Sequence, residues 1–188
     1  MKSIAIFCGS SSGNHPVFTK VAKQLAHLLA KKHIPMVFGG GSVGLMGAIA
    51  DQTIESKGTS IGVIPERLQD MELGHPGITK MYVVDSMHAR KAKIAELSDA
   101  FVALAGGMGT IEEITEMFTL TQLGYFNKPC ILLNTNGYYD HFIAFMDNMV
   151  ANKFLKPIHR DMMLVADTPE EVLELIDSYQ VSYAPKWQ

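Results

Sequence analysis

A chain of 188 residues with 47% hydrophobic and 19% charged side chains has the make-up of one domain with a full core. Its formal net charge of −3 excludes broad attraction to nucleic acid or to an anionic membrane, so any anion site must be local. No apolar run approaches the roughly 20 residues of a membrane span, and "MKSIAIFCGSS" is too short an apolar run for a signal peptide, so the expected setting is the cytoplasm.

Short apolar runs alternate with helix-like stretches along the whole chain. The runs at 3–8, 35–39, 60–64, 80–84, 100–104, 130–134 and 162–166 read as strands. Helical spacing is expected at about 15–31, 44–57, 86–98, 110–125, 138–152 and 169–179. The 65–79 segment, with Pro65, Gly74, Pro76 and Gly77, reads as an irregular connection. Most strands are apolar on both faces, which parallel sheets covered on each side require. The alternation predicts a single-domain, Rossmann-like, doubly wound α/β fold with a mostly parallel sheet of about seven strands. Cys8 and Cys130 lack CxxC spacing and read as reduced core cysteines.

In open parallel sheets ligands bind beyond the carboxyl ends of the strands. Three loops qualify, "CGSSSGN", "GGGSVGLMG" and "AGGMGT", all rich in glycine or small hydroxyl residues that expose backbone N–H groups. Two familiar patterns fit only loosely. Gly9, Ser11 and Gly13 match the G-x-S-x-G of a hydrolase elbow, but after the first strand rather than a later one. Gly39, Gly41 and Gly44 match G-x-G-x-x-G, with Glu66 about where a ribose-binding acid belongs, so a nicotinamide oxidoreductase competes. That fingerprint normally follows the first strand, however, and close packing through Gly44 and Gly47 accounts for these glycines equally well. The seven histidines show no metal-ligand spacing, and no metal or cofactor is expected.

"LAGGMGTIEEITE" joins an anion-receiving glycine loop to three glutamates. Thr110 and Glu113 form T-x-x-E, by itself a capping box that starts a helix. Glu112 and Glu116 share a helix face, with Glu113 about 100° round, so Glu113 and Glu116 are the better pair for one pocket. In "DSMHARKAKIAELSDAF" the basic residues crowd a helix start, where they oppose the macrodipole. Lys93 fits a solvated face. Arg90 faces the crevice and suits a phosphate or a carboxylate.

"CGSSSGNHP", "FGGGSVGLMG", "MHARK" and "GGMGTIEE", in this order and spacing, resemble the Lonely Guy family of nucleoside 5′-monophosphate phosphoribohydrolases, many once labelled lysine decarboxylases. The resemblance extends through "KPCILLNTNGYYD" and covers nearly the whole chain. It places Arg90 and Glu113 on the family's catalytic arginine and glutamate. Gly106, Gly107, Met108, Gly109 and Thr110 fall on its phosphate loop, and Lys91 on the basic residue beside the arginine. Gly9, Ser10, Gly41, Met87 and, less directly, Glu116 complete the expected substrate contacts. Ala105 stands where the family usually has Pro, and Ala89 where plant members have Glu.

The resemblance implies hydrolysis of the N-glycosidic bond of adenosine 5′-monophosphate or its N6-modified forms, in a homodimer without nucleic-acid or membrane partners. The phosphate would sit on the glycine loop and the carboxylate would face the positive charge that develops on the ribose. A sensor or carrier that binds a nucleotide without turnover is the alternative. The decarboxylase label finds no cofactor-lysine environment in these residues.

Overall fold

The apolar runs become strands in the order expected. The computed structural model, which describes residues 3–71 and 73–180, contains β1 (Ile4–Phe7), β2 (Met36–Phe38), β3 (Ser60–Pro65), β4 (Lys80–Val84), β5 (Ala100–Ala103), β6 (Cys130–Leu133) and β7 (Met163–Ala166). They form one sheet in the order β4-β3-β2-β1-β5-β6-β7, and every pair in it is parallel. The central strands β1, β2, β5 and β6 are buried along their whole length, whereas the edge strand β4 is partly exposed. That difference explains why their sequences lack the alternation of a half-exposed sheet.

Helices α1 (Pro16–Lys31), α2 (Gly44–Glu55), α3 (Glu66–Asp70), α4 (Met87–Leu97), α5 (Met108–Gln122), α6 (Asp140–Ala151), α7 (Pro157–Arg160) and α8 (Pro169–Ser178) connect the strands. For α1 the local causes are plain. His15 accepts a hydrogen bond from the Val17 N–H at 3.2 Å, and Pro16 occupies the first turn, where no donor is missed. Ala22, Leu25, Ala26 and Leu29 then recur on one buried face.

Side-chain alternation along the strands divides the core in two. Ile4, Ile6 and Phe38 pack with α1, α2 and α8 on one face of the sheet. Ala5, Phe7 and Phe101 pack with α4, α5 and α6 on the other.

Three local expectations are corrected. The 65–79 connection contains α3 and is pinned to the β2–α2 loop by Ser42 N–H donating to Leu73 O at 2.9 Å and His75 N–H donating to Gly40 O at 2.8 Å. The four-residue α7 is too short to show a helical period and was not foreseen. Helix α5 begins at Met108 and ends at Gln122 instead of spanning 110–125.

The sheet order reverses at β1, which lies between β2 and β5. A crevice therefore opens beyond the carboxyl ends of β1 and β5. The loops around it interlock. Leu45 N–H donates to Gly9 O at 3.1 Å and Gly9 N–H to Ala105 O at 3.0 Å, joining the loops after β2, β1 and β5. Gly44 has φ +61, and a Cβ there would come within 2.2 Å of the Ser10 carbonyl carbon. Only glycine permits both the conformation and the approach. Gly44→Ala is therefore expected to cost more than about 1 kcal/mol, read as a lower urea midpoint with an unchanged slope.

Candidate active site

Helix α5 sets the geometry. Its N-cap is Gly107, which has no side chain to cap with, and Thr110 N–H and Ile111 N–H turn back to Gly107 O at 3.1 and 3.3 Å. Thr110 is thus inside the first turn and Glu113 in the second, so the T-x-x-E capping box does not form. The helix starts too early for it. A Cβ added at Gly107 or Gly109 would meet nothing within 4 Å, and both residues line a cavity, so this helix start has room for a ligand beside first-turn N–H groups that lack intrahelical acceptors. Thr110 is buried, its hydroxyl packed where a Cβ on Gly106 would lie.

Helix α4 brings the opposite charge. Ser86 caps it by accepting from Ala89 N–H at 3.1 Å, which fixes Met87 to Arg90 as the first turn. Arg90 is 9% exposed and reaches the cavity over Gly39, where a Cβ would collide with its Nη2 at 1.8 Å. Its Nη2 lies 3.5 Å from Glu113 Oε1. Its Nη1 has the Met87 sulfur at 3.8 Å, and its Nε has no hydrogen-bond partner among the described residues. A guanidinium carries five donors, so this one is poorly satisfied by the protein alone.

Lys91 and Glu116, expected at the substrate, are elsewhere. Lys91 Nζ is bonded to Glu112 Oε1 and lies 2.5 Å from Glu116 Oε2, and neither Lys91 nor Glu116 lines the cavity that holds Arg90 and Glu113. The expected Glu113–Glu116 pairing is replaced by a Glu112–Glu116 pair on one helix face, bridged by a lysine. Glu112 itself reaches the cavity wall.

The crevice has two chambers that share Gly9, Ser10 and Gly107. The first, about 500 Å³, holds Arg90, Glu113, Gly41, Met87 and Met108–Thr110, with an apolar wall from Val43, Met46, Ile64, Leu68 and Leu73. The second, about 420 Å³, is bounded by Ser11–Asn14, Phe18, Gly106 and Tyr138. Sequence reasoning missed the apolar wall and Tyr138, whose hydroxyl donates to Gly106 O at 2.5 Å. It read Cys8 as a core residue. Cys8 is buried and free, and it also floors the first chamber.

Burial raises the Glu113 pKa above its ordinary value of 4.5. Arg90 opposes this, Glu112 adds to it, and Lys91 and Glu116 act weakly in opposite directions. Burial, aided by the Glu113 charge, also pushes the Cys8 thiol up, so it stays protonated.

The competing motifs lose their chemistry. Glu66 is exposed at the start of α3 and is not in the cavity wall, so the glycines after β2 have no ribose acid opposite them. Gly39 and Gly44 serve close packing against Arg90 and Ser10, and Gly47 packs against Ser42 within its own loop. Ser11 is exposed and its hydroxyl accepts from Gly13 N–H at 3.3 Å, closing a turn. No cluster of metal-ligating side chains occurs among the described residues, nor does a lysine line either chamber. The family departures are accommodated. Ala105 contributes its carbonyl to Gly9 and Ala89 its N–H to Ser86, groups that proline and glutamate respectively also possess.

Fold and cavity define a Rossmann-like α/β protein with a buried arginine–glutamate pair beside an open helix N-terminus at the switch point. A family model described as "possible lysine decarboxylase" matches residues 46–176. The chain belongs to that family, the Lonely Guy family. It is 43% identical over 180 residues to a probable cytokinin riboside 5′-monophosphate phosphoribohydrolase of Oryza sativa subsp. japonica, covering 96% of this chain and 81% of that one. It is 40% identical over 178 residues to a cytokinin riboside 5′-monophosphate phosphoribohydrolase of Rhodococcoides fascians, covering 94% and 90%. A solved molybdenum cofactor binding protein from the phototrophic bacterium Rippkaea orientalis superposes with a TM-score of 0.70 at 23% identity, covering 95% and 97%. At that identity the likeness is one of fold.

The raised pKa of Glu113 has a consequence for stability. The folded protein holds the proton more tightly than the unfolded chain, so stability falls as pH rises from the ordinary glutamate range through the raised value. Glu113→Gln removes this penalty. Its Tm is expected to exceed that of the wild type by a few degrees at pH 7, and the gap to close at pH 4, as measured by calorimetry.

Proposed function

We propose that the protein is a nucleoside 5′-monophosphate phosphoribohydrolase that cleaves the N-glycosidic bond of adenosine 5′-monophosphate or an N6-modified form of it. The products are the free base, a cytokinin where the base is so modified, and ribose 5-phosphate. One observation carries the reading. A buried glutamate faces an under-bonded arginine in the same chamber as the uncrowded helix start at Gly107–Gly109.

The 5′-phosphate binds at the N-terminus of α5, where the dipole and the free N–H groups favour an anion. Gly9, Ser10 and Gly106 border the same position from the second chamber. The ribose extends along the helix toward Glu113, and the base lies among Met46, Ile64, Leu68, Leu73 and Met87. Gly41 and Met108 bound this space. As the C1′–N9 bond breaks, its electron pair leaves with the base and positive charge grows on the ribose. The Glu113 carboxylate stabilises that charge and takes a proton from the attacking water as the water oxygen bonds to C1′, and that proton is passed on to the departing base. Arg90 holds the glutamate and offers its spare donors to the nucleotide.

We further place the protein in the cytoplasm, a setting supported by the unpaired thiols of Cys8 and Cys130. No helix among the described residues is long and apolar enough to cross a membrane. A homodimer is supported by exposed apolar side chains, Met87 at 45% and Met108 at 81% at the site and Tyr125 at 74% beyond the far end of α5.

Incubation with adenosine 5′-monophosphate and N6-isopentenyl-adenosine 5′-monophosphate, followed by chromatography, is expected to show free base and ribose 5-phosphate in equal amounts. Glu113→Gln should lower kcat by on the order of 10²–10⁴-fold while the protein stays folded. Because a base must be ionised, kcat/KM should fall at acid pH with an inflexion above the ordinary glutamate value of 4.5. Full turnover by the glutamine variant would return Glu113 to a structural role.

A further inference from the structure

Three ion pairs join α4 to α5, and they differ in kind. Arg90–Glu113 lies in the cavity and is long, at 3.5 Å. Lys91 makes the other two, hydrogen-bonded to Glu112 and in ion-pair contact with Glu116, and the lysine lies outside the cavity wall. The Lys91 side chain is 7% exposed, whereas its partners are 53% and 36% exposed. An ammonium group left in such a place without acceptors would be costly, so both carboxylates are needed to hold it. The contrast with Lys93 two residues on is direct. Lys93 pairs with Glu96 on its own helix at 2.7 Å, an ordinary surface i,i+3 pair, and its ammonium otherwise lies 5.1 Å from the Tyr82 ring centre on β4 rather than against α5.

Sequence adjacency makes the outer pairs a gauge for the inner one. Arg90 and Lys91 are neighbours on α4, and Glu112 and Glu113 are neighbours on α5. Any slide or rotation of one helix against the other moves both sets together. We propose that Lys91, clamped between Glu112 and Glu116, is a positioning residue that sets the separation of Arg90 and Glu113 without touching the nucleotide. The proposal rests on the reading of Arg90 and Glu113 as the reacting pair. The inner pair must loosen when the arginine donates to substrate and the glutamate turns to C1′ and water. The outer clamp keeps its bonds throughout, so the helices hold their spacing while the inner pair changes partners. Displacement of a reacting group by 1 Å can cost about 10²-fold in rate, so the expected signature is in turnover rather than in binding.

The test compares the wild type with Lys91→Met, Lys91→Arg and Glu116→Gln, using whichever adenosine 5′-monophosphate the wild type cleaves faster. Lys91→Met is expected to lower kcat at least about tenfold while KM moves less than about twofold. Calorimetric titration with ribose 5-phosphate should give an unchanged affinity. Glu116→Gln, which leaves Glu112 in place and touches no part of the cavity, should lower kcat in the same direction by less. Lys91→Arg, which can still span two carboxylates, should recover most of the loss. The double variant Lys91→Met/Glu116→Gln should be no worse than Lys91→Met alone, because both break one clamp.

A large rise in KM with weakened ribose 5-phosphate binding and intact kcat would make Lys91 a substrate ligand and overturn the proposal. Unchanged kcat in both Lys91→Met and Glu116→Gln would overturn it as well. A readout that needs no turnover separates its fate from that of the proposed reaction. The coupling of Arg90 and Glu113, from the stabilities of Arg90→Met, Glu113→Gln and their combination, should fall by at least about half in the Glu116→Gln background if the clamp sets their separation. Undiminished coupling overturns the clamp whether or not any nucleotide is cleaved. Absence of cleavage by the wild type, with the coupling still reduced in Glu116→Gln, sinks the proposed reaction alone.

Discussion

The structure turns on bringing an arginine and a glutamate out of water at the one place where the sheet order reverses. Taking two charges out of water costs several kcal/mol per ion, and a pair 3.5 Å apart with spare donors recovers only part of that. Stability therefore comes from elsewhere, from the two apolar layers on either side of the sheet. The pair is a load that those layers carry. Every local feature around it works to keep it in place. The absent side chain of Gly39 leaves room for the guanidinium, the Ser86 cap fixes the turn that presents it, and the tied loops after β1, β2 and β5 close the walls.

Helix α5 then arranges two opposite fields along one axis. Its first turn borders the cavity at Gly107–Gly109, and Glu113 lies about one turn further on. With a rise of about 1.5 Å per residue, and side chains leaning toward the N-terminus, the carboxylate comes within roughly 6–9 Å of the first donors. That is the scale of a ribose between its 5′-phosphate and C1′. A phosphate cradle and a carboxylate are thus not in conflict on this helix. They address the two ends of one sugar.

Much of this was legible in the sequence, for identifiable reasons. Seven continuous apolar runs can be strands of a covered parallel sheet and little else, and the glycine loops mark where those strands end. Arg90 stood out because a basic residue at a helix start opposes the dipole. The errors came from places where one pattern has two meanings. T-x-x-E reads as a capping box when Thr110 is placed at the helix start, and only the backbone at Gly107 shows that the helix begins earlier. Lys91 was expected among the substrate contacts because the resemblance sets it beside Arg90, and a one-dimensional string does not say which helix will face it. The cavity's apolar wall was invisible for a similar reason. Val43 and Met46 come from the start of α2 and Ile64 and Leu68 from the β3–α3 junction, two stretches that only the fold brings together.

The three glutamates of α5 show how position, not residue type, assigns the chemistry. Glu112 and Glu116 lie four apart and look outward enough to stay hydrated, so they can hold a lysine without large cost. Glu113, about 100° round, is turned inward and loses most of its water. Across the α4–α5 seam two cations, Arg90 and Lys91, meet three carboxylates, which leaves one net negative charge when all are ionised. That surplus lies on the outer side, where one lysine meets two carboxylates, while the inner pair is neutral and leaves guanidinium donors unused. The inner pair is neutral but under-bonded in the resting protein, and it gains from a positive centre near Glu113 together with acceptors near Arg90. An oxocarbenium-like ribose whose oxygens accept hydrogen bonds has both. The cost carried by the resting site is thus relieved in the transition state, the condition under which binding energy accelerates a reaction.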